Sequence, residues 1–110
     1  KKIDGTAGSN VIENLSDIAP DLARYIIEFA FGQIYERPGL SLQERELLTL
    51  SSLLTAGGCE AQLQVHINAA LHVGIKEEKI IEAFLHCIPY TGFPKVLNAV
   101  AVAGQIFSGK

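Results

Sequence analysis

Apolar positions along the chain recur at helical spacing. Leu22, Tyr25, Ile26, Phe29 and Ala30 follow the i, i+3, i+4, i+7 rhythm of one helix face. Ile27, Phe31 and Ile34 make the same stretch apolar on its other sides, the pattern of a helix covered from two directions. Pro20 suits its first turn, where a missing N–H costs nothing, and Arg37-Pro38-Gly39 ends it. Ser41 and Glu44 form a capping box, each side chain satisfying a free backbone N–H. The helix they open carries Leu47, Leu50, Ser51 and Leu54 and stops at Gly57-Gly58. The next begins near Cys59, with Leu63, His66, Ile67 and Ala70 as its apolar stripe and Gly74 as a C-terminal cap.

Glu77 and Glu78 complement the dipole at another helix start. Ile80, Ile81, Phe84, Leu85 and Ile88 follow, and Pro89 should kink or end that helix. After the Gly92-Phe93-Pro94 turn, Val96, Leu97, Val100, Gly104 and Phe107 mark a final helix, with Gly104 suited to a close helix approach. A short helix is expected from Val11 to Ile18, and residues 1–10, with Gly5, Gly8, Ser9 and Asn10, read as a loose arm. No segment sustains period-2 alternation. The expectation is all-α: one domain over residues 11–110, a compact bundle of five to six helices joined by short loops.

Composition adds a second constraint. Hydrophobic residues make up 48% of the 110 and charged residues 19%, with a mean hydropathy of +0.25. That is apolar for a small domain, whose surface is large relative to its core. A membrane-spanning helix needs roughly 18 uncharged apolar residues, and the best stretch, Tyr25 to Tyr35, is broken by Glu28, Gly32 and Gln33. A subunit that covers a second apolar face with copies of itself fits better. The net charge is −3 and basic residues are scattered, which argues against nucleic acid as a partner. Two cysteines without a C-x-x-C pattern make no disulfide framework, and a reducing cytoplasm is the expected compartment.

His66 is the most informative side chain. On an apolar stripe it must find a hydrogen bond, and it reads either as a general acid or base or as a core histidine satisfied by a carbonyl. Glu60, six residues earlier, lies about a third of a turn round the helix and reaches His66 only if another element closes a shared cleft. Cys59 shares the His66 face at a distance of about 10 Å; its place at a helix start favours a thiolate, and a small buried hydrophobe is the alternative. Cys87, beside Phe84 and Ile88, reads as packing. Arg45 suits a carboxylate or a surface pair, His86 stands four residues from Glu82, and Tyr90 could line a pocket or cap a helix. No metal constellation appears, since His66 with Glu60 or His86 with Glu82 offers two ligands at most.

The run Arg45-Glu-Leu-Leu-Thr-Leu, then Glu60-x-x-Leu63-x-x-His66-x-x-x-Ala70, Gly74, Glu77-Glu78 and Tyr90-x-Gly92-Phe93-Pro94 with Asn98, resembles the carboxymuconolactone decarboxylase family, over roughly residues 20–108. The resemblance implies an all-helical fold like that of alkyl hydroperoxidase D, assembled as dimers, trimers or hexamers. In the decarboxylase branch it implies cofactor-free removal of CO2 from a small carboxylated lactone. His66 would then shuttle a proton to the enolate, Glu60 would orient or relay, and Arg45, His86 or Tyr90 would bind substrate. The other branch is thiol-dependent and peroxiredoxin-like. It uses a dithiol motif that this chain lacks, leaving Cys59 to act with Cys87 or with a partner subunit. A third outcome is an oligomeric protein whose motif is structural.

Overall fold

The computed structural model describes residues 5–109, and among them all regular structure is helical. The helices are α1 (Gly5–Ile18), α2 (Pro20–Tyr25), α3 (Leu42–Ala56), α4 (Glu60–His72), α5 (Glu77–His86), α6 (Ile88–Thr91) and α7 (Phe93–Ser108). α2 runs directly into a π-helical stretch, Ile26–Ile34, so the bundle has six substantial helices plus the single turn of α6. Among the described residues no helix is long and apolar enough to cross a membrane.

The signals read from the sequence act locally as expected around α3 to α6. Ser41 Oγ accepts from the Glu44 N–H at 3.0 Å and Glu44 Oε1 accepts from the Ser41 N–H at 2.9 Å, the reciprocal bonds of a capping box. α4 ends in a Schellman motif. Gly74 has φ +94°, its N–H donates to the Leu71 carbonyl, and the Ile75 N–H donates to the Ala70 carbonyl. This turn drives Ile75 into the core. Pro89 ends α5 by falling in the first turn of α6, where no N–H is required of it.

The core is built by α3, α4, α5 and α7. Leu50 and Leu54 of α3, Leu63, Ile67 and Ala70 of α4, and Ile80 and Phe84 of α5 are buried together. α7 contributes Val96, Ala99 and Ala103 to the same cluster. The buried edge of α7 therefore uses its alanines, which let helices approach closely. Leu97, expected on the apolar face, is 65% exposed, and Gly104 is exposed with nothing within 4 Å of an added Cβ, so no described element of this chain packs closely on it.

Two expectations need correcting in the N-terminal third. α1 begins at Gly5, six residues before the expected Val11 start. Two glycines disfavour helix by about 1 kcal/mol each, but α1 packs on α2 and α4, and tertiary contacts override that propensity. Residues 1–4 of the expected arm lie outside the described residues. The inward face of the α2 rod is also shifted. Tyr25 and Phe29, assigned to that face by 3.6-residue spacing, are 55% and 58% exposed. Leu22, Ile26 and Ala30 keep their expected inward place, and the π-helical turns, with the Tyr35 N–H donating five residues back to the Ala30 carbonyl, widen the spacing so that Phe31 and Tyr35 join them in place of Tyr25 and Phe29.

Candidate active site

A charged side chain lies in the middle of the α3 apolar face. Glu46 precedes Leu50 and Leu54 at four-residue steps, and like them it is fully buried. A buried carboxylate is costly unless paired and hydrogen-bonded. Its partner is His66 of α4, whose Nδ1 lies 3.0 Å from Glu46 Oε1. The other carboxylate oxygen, Oε2, is buried without a hydrogen-bond partner, an arrangement that costs stability. The bond fixes the ring: with Nδ1–H facing the carboxylate, Nε2 is the nitrogen left for chemistry.

His66 is 21% exposed in its side chain and lines a cavity of about 640 Å³, within the usual range for small-molecule sites. α1 contributes Ile12 and Leu15 to the wall, and the rod after α2 contributes Ile26 and Phe31. Ala61, Gln62 and Val65 of α4 line it beside His66. Its remaining polar groups are Tyr35 and Thr49, which hydrogen-bond to each other. The Thr49 hydroxyl donates to the Arg45 carbonyl at 2.8 Å, so Tyr35 must donate to Thr49. Burial pushes the Tyr35 phenol above its ordinary value; the Thr49 bond opposes this, the Glu46 charge reinforces it and Arg45 opposes it. Tyr35 therefore stays a neutral phenol at neutral pH.

The residues expected to act with His66 are placed elsewhere. Glu60 is exposed and lines a depression between α4 and α7 with Asn98 and Gln105, on a different side of α4 from His66. The angular separation along one helix is not closed by packing. Cys59 caps the start of α4, half-buried, with its Sγ directed at the Gly57 carbonyl at 3.4 Å, and it does not line the His66 cavity. Cys87 is buried in the core cluster. Arg45 donates to the Arg37 carbonyl at 2.8 Å and lines an adjoining groove that shares Tyr35 and Thr49 with the cavity. His86 and Tyr90 are exposed, with ring centroids 5.7 Å apart, and do not line the cavity. Among the described residues no three His, Cys, Asp or Glu side chains are grouped to hold a metal ion.

Sequence reasoning missed Glu46, Tyr35, Thr49 and Gln62. Glu46 had a visible signal, a lone acid in register with Leu50 and Leu54 on an apolar stripe. Gln62 is one turn before His66 and therefore on its face. Tyr35 had none, since its inward placement depends on the π-helical turns.

An all-helical bundle with a histidine held by a buried carboxylate at the edge of an apolar cavity defines a class of small-molecule sites. The family model for the carboxymuconolactone decarboxylase family matches residues 20–105, and the chain belongs to that family. It is 35% identical over 96 residues to the 4-carboxymuconolactone decarboxylase of Acinetobacter baylyi, covering 87% of this chain and 71% of that protein. It is likewise 35% identical over 99 residues to the nitrosuccinic acid decarboxylase of Metarhizium robertsii, covering 86% and 68%. An uncharacterized 15.0 kDa protein of Paracoccus denitrificans is 25% identical over 95 residues, covering 86% and 71%.

Proposed function

We propose that this protein is a cofactor-free decarboxylase acting on a small carboxylate whose carbanion is stabilised by a neighbouring acceptor group, such as a carboxylated lactone. The observation that carries this reading is the Glu46–His66 pair, 3.0 Å apart, at the edge of the apolar cavity. Two relatives of different organisms named as decarboxylases support it.

In the proposed reaction the bond between carbon and the carboxylate breaks. The electron pair stays on carbon, delocalised into the acceptor, and CO2 leaves. The protonated His66 ring then donates its Nε2 proton to that carbon, and water restores the proton. Glu46 orients the ring and balances the imidazolium charge, the part the sequence had suggested for Glu60. The apolar walls help because a compact carboxylate loses more on leaving water than a delocalised carbanion does.

Release of CO2 from a panel of carboxylated lactones and related acids tests the reading. Turnover should be lost in His66→Ala, strongly reduced in Glu46→Gln and retained in Glu60→Ala. Turnover that survives both His66→Ala and Glu46→Gln, or that depends on Glu60 instead of Glu46, removes it. We further propose that copies of this chain assemble through the exposed apolar residues of the α2 rod, Tyr25, Ile27 and Phe29, each 46% exposed or more.

A further inference from the structure

Arg45 carries an unpaired charge at the edge of the site. Its Nη2 donates to the Arg37 carbonyl at 2.8 Å, and its Nε is buried with no hydrogen-bond partner. Among the described residues no carboxylate forms an ion pair with it. A half-buried guanidinium gains most from an anion that several of its five N–H groups can reach together. A single carbonyl is a weak substitute.

The surroundings define where such an anion would lie. Arg45 lines a groove of about 280 Å³ with apolar walls at Ile34, Leu40, Leu48 and Leu53, and no other charged side chain lines it. The groove meets the His66 cavity at Tyr35 and Thr49, which line both spaces. Arg45 acts on the Tyr35 phenol at that junction, opposing the rise that burial produces. On the cavity side a protonated His66, the form that donates, is balanced by Glu46 at 3.0 Å. The guanidinium is then the one unbalanced charge of the joined spaces.

We propose that the Arg45 groove is an anion subsite, holding a carboxylate that the substrate keeps while the carboxylate that leaves stands beside His66. The proposal rests on the decarboxylase reading of the His66 cavity and adds a second point of attachment to it. The division suits the chemistry. A carboxylate in a charge-assisted pair is stabilised as an anion, whereas one set against Ile26 and Phe31 loses its water without that compensation. Arg45 thereby selects which of two carboxylates is lost, and the Tyr35–Thr49 junction sets the spacing between them.

Calorimetric titration of the full chain with hydrocinnamate and 4-phenylbutyrate, each against its neutral amide, reads the subsite by charge at two reaches. At one length or both, the carboxylate is expected to bind about tenfold to a hundredfold more tightly than its amide, the worth of a hydrogen bond to a charged group. Arg45→Gln should erase that preference, and Arg45→Lys should keep part of it. Leu48→Glu brings a competing carboxylate one helical turn from Arg45 and should erase it too; Leu48 is 55% exposed, so the fold tolerates the change. His66→Gln, which leaves a hydrogen-bond donor for Glu46, should leave the preference standing. No preference at either length, a preference that survives Arg45→Gln or Leu48→Glu, or one lost in His66→Gln overturns the proposal. Turnover separates it from the decarboxylase reading. An Arg45-dependent preference without CO2 release from any acid of the panel would uphold the subsite and count against decarboxylation. CO2 release from acids with a second carboxylate, at a KM unmoved by Arg45→Gln, would do the reverse.

Discussion

The two ends of this molecule treat their apolar residues in opposite ways. From α3 to α7 one face of each long helix closes on the others, and Leu50, Ile67, Ile80 and Phe84 have no exposed surface. In α2 and the π-helical stretch after it, only Ala23 is buried, while Leu22, Tyr25, Ile27 and Phe29 remain substantially exposed. The first region is a scaffold. The second is a wall laid against it, and the space between them is the cavity in which His66 stands. Such a division puts His66, the proposed acid, on a helix of the core and leaves the shape of the cavity to an element with few buried side chains.

That contrast can be broken at the site where the regions meet. His66→Ala is expected to lower turnover by about 10²–10⁴-fold, the usual worth of a positioned acid or base, with a helical far-ultraviolet circular dichroism spectrum and a lowered thermal midpoint, because the Glu46 carboxylate is left buried without its partner. Phe84→Ala should act on stability alone, costing about 3–5 kcal/mol in urea unfolding through the cavity it leaves. If Phe84→Ala proves mild, the scaffold is not where the stability lies. Ser41→Ala, which removes one half of the α3 capping box, should cost about 1 kcal/mol in the same measurement.

Smaller effects test the wall. Burial holds the Tyr35 phenol above its ordinary 10.0, so above that pH the unfolded chain gives up this proton before the folded one. Its stabilising contribution is therefore complete below pH 10.0 and is lost as pH rises through the folded value. Alkaline unfolding followed by tyrosinate absorbance should show this fall, and Tyr35→Phe should flatten it. Phe29→Ser should change the stability of the isolated chain by no more than about 0.5 kcal/mol, as surface changes do. If the outward face of the rod joins copies together, the same variant shifts the native mass toward monomer. A native mass unchanged by Phe29→Ser, in a protein that does assemble, moves the interface elsewhere.

What could be read directly from the sequence follows from local physics. The Ser41–Glu44 box, the Gly74 cap, the Pro89 break and the stripe of Leu63, Ile67 and Ala70 each need only residues a turn or less apart. The choice of His66 as the central residue rested on the same logic, a polar group on an apolar face. Tyr25 and Phe29 leave the inward side of the α2 rod because periodicity assumes α-helical turns, and Ile26–Ile34 is wound more widely. The partner of His66 could not be reached by counting along α4. Glu46 lies twenty residues earlier on another helix, and only the packing of α3 against α4 brings the carboxylate to the ring. Sequence alone determined the helices from α3 onward, their ends and the residue that needed a partner. Tertiary structure decided which acid met that need, because a buried charge takes whatever partner the fold places within hydrogen-bond reach.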